Sequence, residues 1–361
     1  MTTNGGFEPV IRRTPVFCGI VPPHILDHLA QHEDRALADS ALRTLQHDSA
    51  QRTRRRVTAV RTTAAVATPA PTTAAHHRTI YDAGHRTDLP GTEVRAEGSE
   101  PGQDATVNRA YAGLGATFDL YLKAYERDSI DGNGLLLNAS VHYDVNYDNA
   151  FWNGDQMVFG DGDGEIFVDF TTSVDVIGHE LTHGVTQYTA NLEYYGQSGA
   201  LNESVSDVFG SLIKQYSLGQ TADQADWLIG EGLLAPGVHG VALRSMKAPG
   251  TAYDDPRLGK DPQPATMQHY VRTSRDNGGV HINSGIPNHA FYLLATALGG
   301  NAWERAGQIW YDVLTGGELR TDATFVDFAK LTVAAARARY QAGEESEAAL
   351  KAWAQVGVQA S

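Results

Sequence analysis

The sequence predicts an α+β protein of two lobes, the first β-rich and the second α-helical, behind a separate leader. Three observations lead there. The chain has 361 residues, more than one hydrophobic core comfortably fills. From Thr79 to Phe170, short alternating runs such as Ser140-Val141-His142-Tyr143 are punctuated by Gly, Asn and Asp, the pattern of strands and hairpins. After Ser173 the apolar period becomes helical and stays so to the end, apart from a Gly/Pro/Asp-rich stretch from Gly230 to Pro264. A composition of 42% hydrophobic and 20% charged residues excludes a mostly disordered chain.

Taken in order, the leader comes first. Residues 1–56 hold eight Arg against six Asp or Glu, a net +2 in a chain of −15, which leaves about −17 on residues 57–361. Within it, Pro22-Pro23 is followed by Ile25, Leu26, Leu29, Leu37, Leu42 and Leu45 at spacings that suit one or two amphipathic helices. Residues 57–78 are expected to be an extended linker, because Thr, Ala and Pro from Thr58 to Ala75 bury little. Residues 79–190 make the β-rich lobe, with a helix expected over Arg109 to Arg127, and residues 191–361 the helical lobe. The single cysteine, Cys18, rules out an intramolecular disulfide. An acidic body argues against nucleic acid as a partner. No apolar run reaches the length of a membrane span, and Met1 to Val10 lacks a basic region. Cytoplasmic synthesis without a signal peptide is therefore the expectation, any export needing another route.

The chemistry begins at His179-Glu180-Leu181-Thr182-His183. Ser173 suits an N-cap, Asp175 falls in the first turn, and Ile177, Leu181 and Val185 recur every four residues, so a helix is predicted. Its two histidines lie one turn apart on one face. They can hold one Zn²⁺ at about 2.0–2.1 Å, with Glu180 beside the open coordination position. A catalytic zinc needs a third protein ligand. Glu203 supplies a candidate on a second predicted helix, whose stripe is Leu201, Val205, Val208 and Leu212. If Gly196–Gly199 forms the turn, the two helices pack antiparallel and Glu203 faces the histidines. Asp207, one turn on, can accept the free ring N–H of a ligating histidine. A third cluster, Asp276-Asn277-Gly278-Gly279-Val280-His281, lets Asp276 orient His281 as a cationic donor to a developing oxyanion. Its plain alternative is a loop entering a helix capped by Asn283 or Ser284.

At these residues the chain resembles the thermolysin family of zinc metalloendopeptidases, and within it the protealysin-like members with a short propeptide. The likeness runs from about Thr79 to the last helices. It implies one catalytic Zn²⁺ on His179, His183 and Glu203, Glu180 as general base, and His281 with Tyr194 as oxyanion donors. Tyr195 is the neighbouring alternative to Tyr194. Asn149, Ala150 and Trp152, in Asn149-Ala150-Phe151-Trp152, would pair with extended substrate backbone. Arg244 would bind a substrate carbonyl. Phe167, Phe170, Val176, Ile229 and Leu243 would line the apolar pocket after the scissile bond, with ordinary core packing as the alternative for each. Bulky hydrophobic residues are then expected there in polypeptide substrates.

The chain departs from that family where calcium is concerned. Lys214 and Leu228 stand where calcium-rich members carry acids, leaving Asp175, Asp226 and Glu231, and Val241 replaces an acid of another site. The Lys214 ammonium is expected to stand in for the first ion. Asp161-Gly162-Asp163-Gly164 fails as an EF-hand because Thr172 holds the twelfth position, so a hairpin turn is expected. Residues 1–56 resemble the propeptide, expected to cover the site in cis and to be removed within residues 50–75. Cys18 would be a small buried hydrophobe or a thiolate at the metal. The competing functions are a catalytically silent zinc-binding protein and a zinc aminopeptidase.

Overall fold

The computed structural model describes residues 19–59 and 74–360, and of residues 51–59 the backbone alone. Cys18 therefore lies outside the described residues. The leader forms α1 (Pro23–Leu29) and α2 (Arg35–Ala59). Proline at the start of α1 costs nothing, since a first-turn N–H has no helical partner. Helix α2 runs to Ala59, past the expected leader end at residue 56, because the run Arg52–Arg56 consists largely of good helix formers. The expected linker 57–78 is shortened at its other end too, where Arg78 opens the first strand, and residues 60–73 lie outside the described set.

The first lobe is a five-stranded sheet of β1 (Arg78–Arg86), β2 (Thr92–Ala96), β3 (Leu137–Tyr143), β4 (Ala150–Trp152) and β5 (Met157–Phe159), in the order β2-β1-β3-β5-β4. The inner pairs β1–β3 and β3–β5 are parallel, and the outer pairs antiparallel. A parallel neighbour needs a crossover. Helix α3 (Ala105–Tyr125) supplies it, capped by the Asp104 carboxylate, which accepts from Thr106 and Val107 N–H at 2.8 and 3.2 Å. Alternation then sorts side chains: Met157 and Phe159 join the main core, while Val158 joins Ala83, Tyr143, Tyr147 and Phe151 in a smaller cluster. The expected hairpin at Asp161–Gly164 is not one. The Asp163 carboxylate gathers the N–H groups of Glu165, Ile166 and Phe167, and Phe167 bridges to Leu234 rather than to a neighbouring strand.

The first lobe ends in α4 (Val174–Tyr188), and the second contains α5 (Gly196–Leu218), the two-residue ribbon β6 (Leu228–Ile229) with β7 (Arg244–Ser245), and a second ribbon, β8 (Asp254–Asp255) with β9 (Gly259–Lys260). Helices α6 (Asp276–Asn283), α7 (Gly285–Leu298), α8 (Ala306–Thr315), α9 (Phe325–Tyr340) and α10 (Glu344–Gln355) follow. Trp310 and Trp353 stack 5.9 Å apart at their core. The turn between α4 and α5 is residues 189–195, not Gly196–Gly199, which already belong to α5. Two glycines let these helices close up. A Cβ on Gly210 would lie 2.5 Å from the Asp175 carbonyl oxygen, and one on Gly178 would lie 2.6 Å from Ile213.

The leader lies across both lobes. Ser40 Oγ donates to the Asn146 carbonyl at 2.8 Å and to Asp148 at 3.0 Å. Asp48 accepts from Tyr147 Oη at 2.7 Å and from Asn149 Nδ2 at 3.0 Å. On the other lobe, His24 Nε2 and Tyr253 Oη are 2.9 Å apart.

Candidate active site

Helix α4 brings His179, Glu180 and His183 to one buried face, and α5 brings Glu203 against it; none is more than 3% exposed. The Nε2 atoms of His179 and His183 are 3.0 Å apart. Glu203 lies 3.6 Å from the first and 3.5 Å from the second. The far ring nitrogens fix the tautomers. His179 Nδ1 is 2.8 Å from Asp207 Oδ1, and His183 Nδ1 is 2.8 Å from Asn202 Oδ1. Asn202 Nδ2 donates to the Leu192 carbonyl at 3.2 Å, which turns its oxygen toward His183. Both Nδ1 atoms therefore carry the proton, and both Nε2 lone pairs point at each other and at a carboxylate.

Bare lone pairs at that separation repel, so the donor set fits a cation. Two nitrogens on a tetrahedral zinc sit about 3.3 Å apart, given bonds of about 2.0–2.1 Å. Burial pushes His183 down to about 4, which keeps its imidazole neutral as a ligand requires. Distance alone also admits Glu180, because His179, Glu180 and His183 offer atoms within 4.8 Å of one another. Glu180 Oε2, however, accepts the Trp152 N–H at 3.1 Å, which turns it toward the β4 edge.

Further side chains converge on this group. Asp207, wholly buried, takes a bidentate Arg244 at 2.9 and 2.8 Å and Asn288 Nδ2 at 2.8 Å as well as His179. Burial opposes its charge, but Arg244 and His179 outweigh that and hold its carboxyl below the usual range. Tyr194 Oη donates to Glu203 and lies 3.3 Å from His281 Nε2, whereas Tyr195 is 63% exposed; Tyr194 is the tyrosine that faces the site. Asp276 Oδ1 meets His281 Nδ1 at 2.6 Å, and Asp276 Oδ2 takes the His281 backbone N–H at 2.9 Å. That hook needs left-handed backbone at Asn277, Gly278 and Gly279, which explains the paired glycines. Burial disfavours charge on His281, yet Glu203 and Asp276 hold its pKa above the ordinary histidine value.

Phe167, Phe170, Val176, Ile229 and Leu243 are all buried in the core cluster that also contains Ile20 of the leader. Arg244 lies opposite Ile229 across β6–β7, and its Nη1 donates to the Ile20 carbonyl at 3.1 Å. Among the carboxylates of the doubted calcium site, Lys214 Nζ reaches Asp226 at 2.6 Å, Glu231 at 2.9 Å and Asp175 at 3.5 Å. Leu228 sits in β6, and Val241 is 58% exposed. Asn202 and Asn288 escaped the sequence reading. An amide carries no spacing signal of its own, although Asn202 directly precedes Glu203.

Two histidines with fixed tautomers, a carboxylate facing both and a second carboxylate turned to the β4 edge define a metallopeptidase. Residues 53–187 match the family described as thermolysin metallopeptidase, catalytic domain, and residues 190–358 the thermolysin metallopeptidase α-helical domain. An extracellular metalloprotease of Pectobacterium carotovorum subsp. carotovorum is 50% identical over 348 residues, covering 95% of this chain and 96% of that one. Protease PrtS of a Photorhabdus species is 49% identical, covering 94% and 92%. The solved precursor of protealysin, from Serratia proteamaculans, superimposes with a TM-score of 0.87 at 53% identity, covering 94% of this chain and 99% of that one. The chain belongs to the thermolysin family of metallopeptidases, and it is a metalloendopeptidase. Among the described residues no helix is long and apolar enough to cross a membrane.

Proposed function

We propose that the chain is a zinc-dependent endopeptidase, made as a zymogen, with zinc on His179, His183 and Glu203. The observation that carries this reading is the pair of Nε2 lone pairs 3.0 Å apart before the Glu203 carboxylate. Bound zinc would supply Lewis acidity and lower the pKa of the attacking water toward about 7. Glu180 accepts that water's proton and returns it to the leaving amine. Tyr194 and His281, the latter held cationic by Asp276 and Glu203, donate to the oxyanion. Asp207 fixes His179 and the Arg244 fork together, so metal ligand and substrate anchor share one support.

Extended substrate pairs with the edge formed by Asn149, Ala150 and Trp152, its carbonyl on Arg244. A bulky hydrophobic residue after the scissile bond enters the pocket of Phe167, Phe170, Val176, Ile229 and Leu243. Lys214 takes the place of calcium among Asp175, Asp226 and Glu231, and Val241 removes an acid from a second site. Residues 1–56 act as the propeptide, residues 79–190 and 191–361 as the two lobes of the mature body. The related protein named extracellular supports export of this chain.

Time-resolved mass mapping of one protein substrate, with and without chelator, tests this. Internal cuts ahead of Leu, Ile or Phe that stop when zinc is stripped are expected. Trimming from the amino end would make it an aminopeptidase, and bound zinc without any cut a silent binder.

A further inference from the structure

The leader enters the cleft as an antiparallel strand on β4, with Gly19 opposite Phe151. The Ile20 N–H donates to the Ala150 carbonyl at 3.1 Å, and the Val21 N–H to Asn149 Oδ1 at 2.9 Å. The Ile20 carbonyl accepts from Arg244. Ile20 is fully buried. These are the groups assigned above to substrate, and the leader satisfies them in order along one run of backbone. Ile20 therefore stands in the position after a scissile bond. Next to Phe151 on β4, Trp152 donates its backbone N–H to Glu180.

We propose that the Gly19–Ile20 peptide bond is the first bond this enzyme hydrolyses, within its own chain, an inference that rests on the peptidase reading above. Water oxygen bonds to the Gly19 carbonyl carbon, the bond to the Ile20 nitrogen breaks, and the proton taken by Glu180 passes to that nitrogen. The products are a Gly19 carboxylate and an Ile20 amine. Residues 1–19 leave. The remainder stays docked through buried Ile25, Leu26 and Leu29, through His24 on Tyr253, and through Asp48 on Tyr147 and Asn149. Maturation then has two stages: loss of a short N-terminal peptide, and later release of the helical clamp.

The test uses the full chain, prepared metal-free and then given zinc at protein concentrations spanning about a hundredfold, with a hydrophobic reporter peptide assayed alongside. Intact-mass analysis should show a species beginning at Ile20, formed at a first-order rate independent of concentration and at least about a hundredfold more slowly in Glu180→Gln. Ile20→Leu should keep the cut, and Ile20→Asp should slow it at least about tenfold by placing charge in an apolar site. Hydrogen exchange on metal-free Glu180→Gln checks the register without catalysis: the Ile20 and Val21 amides should be protected as β4 is. Unprotected amides, or a rate that rises with concentration, would overturn the proposal. So would leader products that all retain an intact Gly19–Ile20 bond while the reporter is cut. An uncut leader together with an uncut reporter would overturn the peptidase reading with it.

Discussion

His179, Glu180 and His183 were legible because their geometry is local: four residues on one helix fix the relation of two rings. Tyr194 against Tyr195 was not, since only the turn 189–195 decides which tyrosine points inward. Asn202 and Asn288 were invisible, because each acquires its partner by tertiary contact across helices. The roles make separate demands. Glu180→Gln should lower kcat/KM by about 10²–10⁴ on a reporter peptide while zinc content stays at wild type. Tyr194→Phe should cost about 10²–10³ in kcat with little change in KM, since its donor matters once the oxyanion forms. A third residue answers to pH. His142 is raised to about 9, first by its hydrogen bond to Asp161, with burial opposing and Asp104 adding to the rise. A folded-state pKa above the unfolded 6.5 means its stabilisation is complete below about pH 6.5 and fades as pH climbs toward 9. Because its φ is +53°, Asn is the conservative replacement. The melting-temperature gap between wild type and His142→Asn should be largest near pH 6 and mostly gone above pH 9; a gap constant with pH would contradict this.

At the scale of elements, the sequence showed α4 and α5 through their apolar stripes, and α3 over Arg109 to Arg127, four residues late at its start. It erred where structure is short or set by context. The Asp161–Gly164 segment folds on the Asp163 carboxylate rather than between strands, and no two-residue ribbon such as β6–β7 leaves a period to read. Helix α2 overran its expected end because its arginines favour helix whatever follows. Lys214 fastens α5 to α4 and to the loop around β6. Burial works against its ammonium, but Asp175, Asp226 and Glu231 hold it protonated. Lys214→Ala leaves the fully buried Asp175 without that cation. It should cost about 3 kcal/mol by urea unfolding of the matured protein. A loss under about 1 kcal/mol would show that the cluster is not held together by the lysine.

For the whole molecule, two lobes and a leader were readable from composition and period, but not how the leader lies. It touches the sheet edge through Ser40 and Asp48 and the second lobe through His24, so it bridges the two lobes. Asp48 accepts from the Asn149 amide, on the edge proposed above to pair with substrate. Asp48→Ala should weaken docking by about 1–3 kcal/mol, the loss of a buried hydrogen-bonded carboxylate. Size-exclusion mass analysis should then find the leader leaving the matured body at least about fivefold faster. An unchanged rate would mean that Asp48 is not part of the clamp.

All of this depends on which carboxylate completes the metal site. The most direct measurement is the zinc content of the purified chain after dialysis, for wild type, Glu203→Ala and Glu180→Gln. One zinc per chain in wild type and Glu180→Gln, with little or none in Glu203→Ala, is the expected result. Zinc retained by Glu203→Ala but lost from Glu180→Gln would place Glu180 among the ligands and contradict the mechanism.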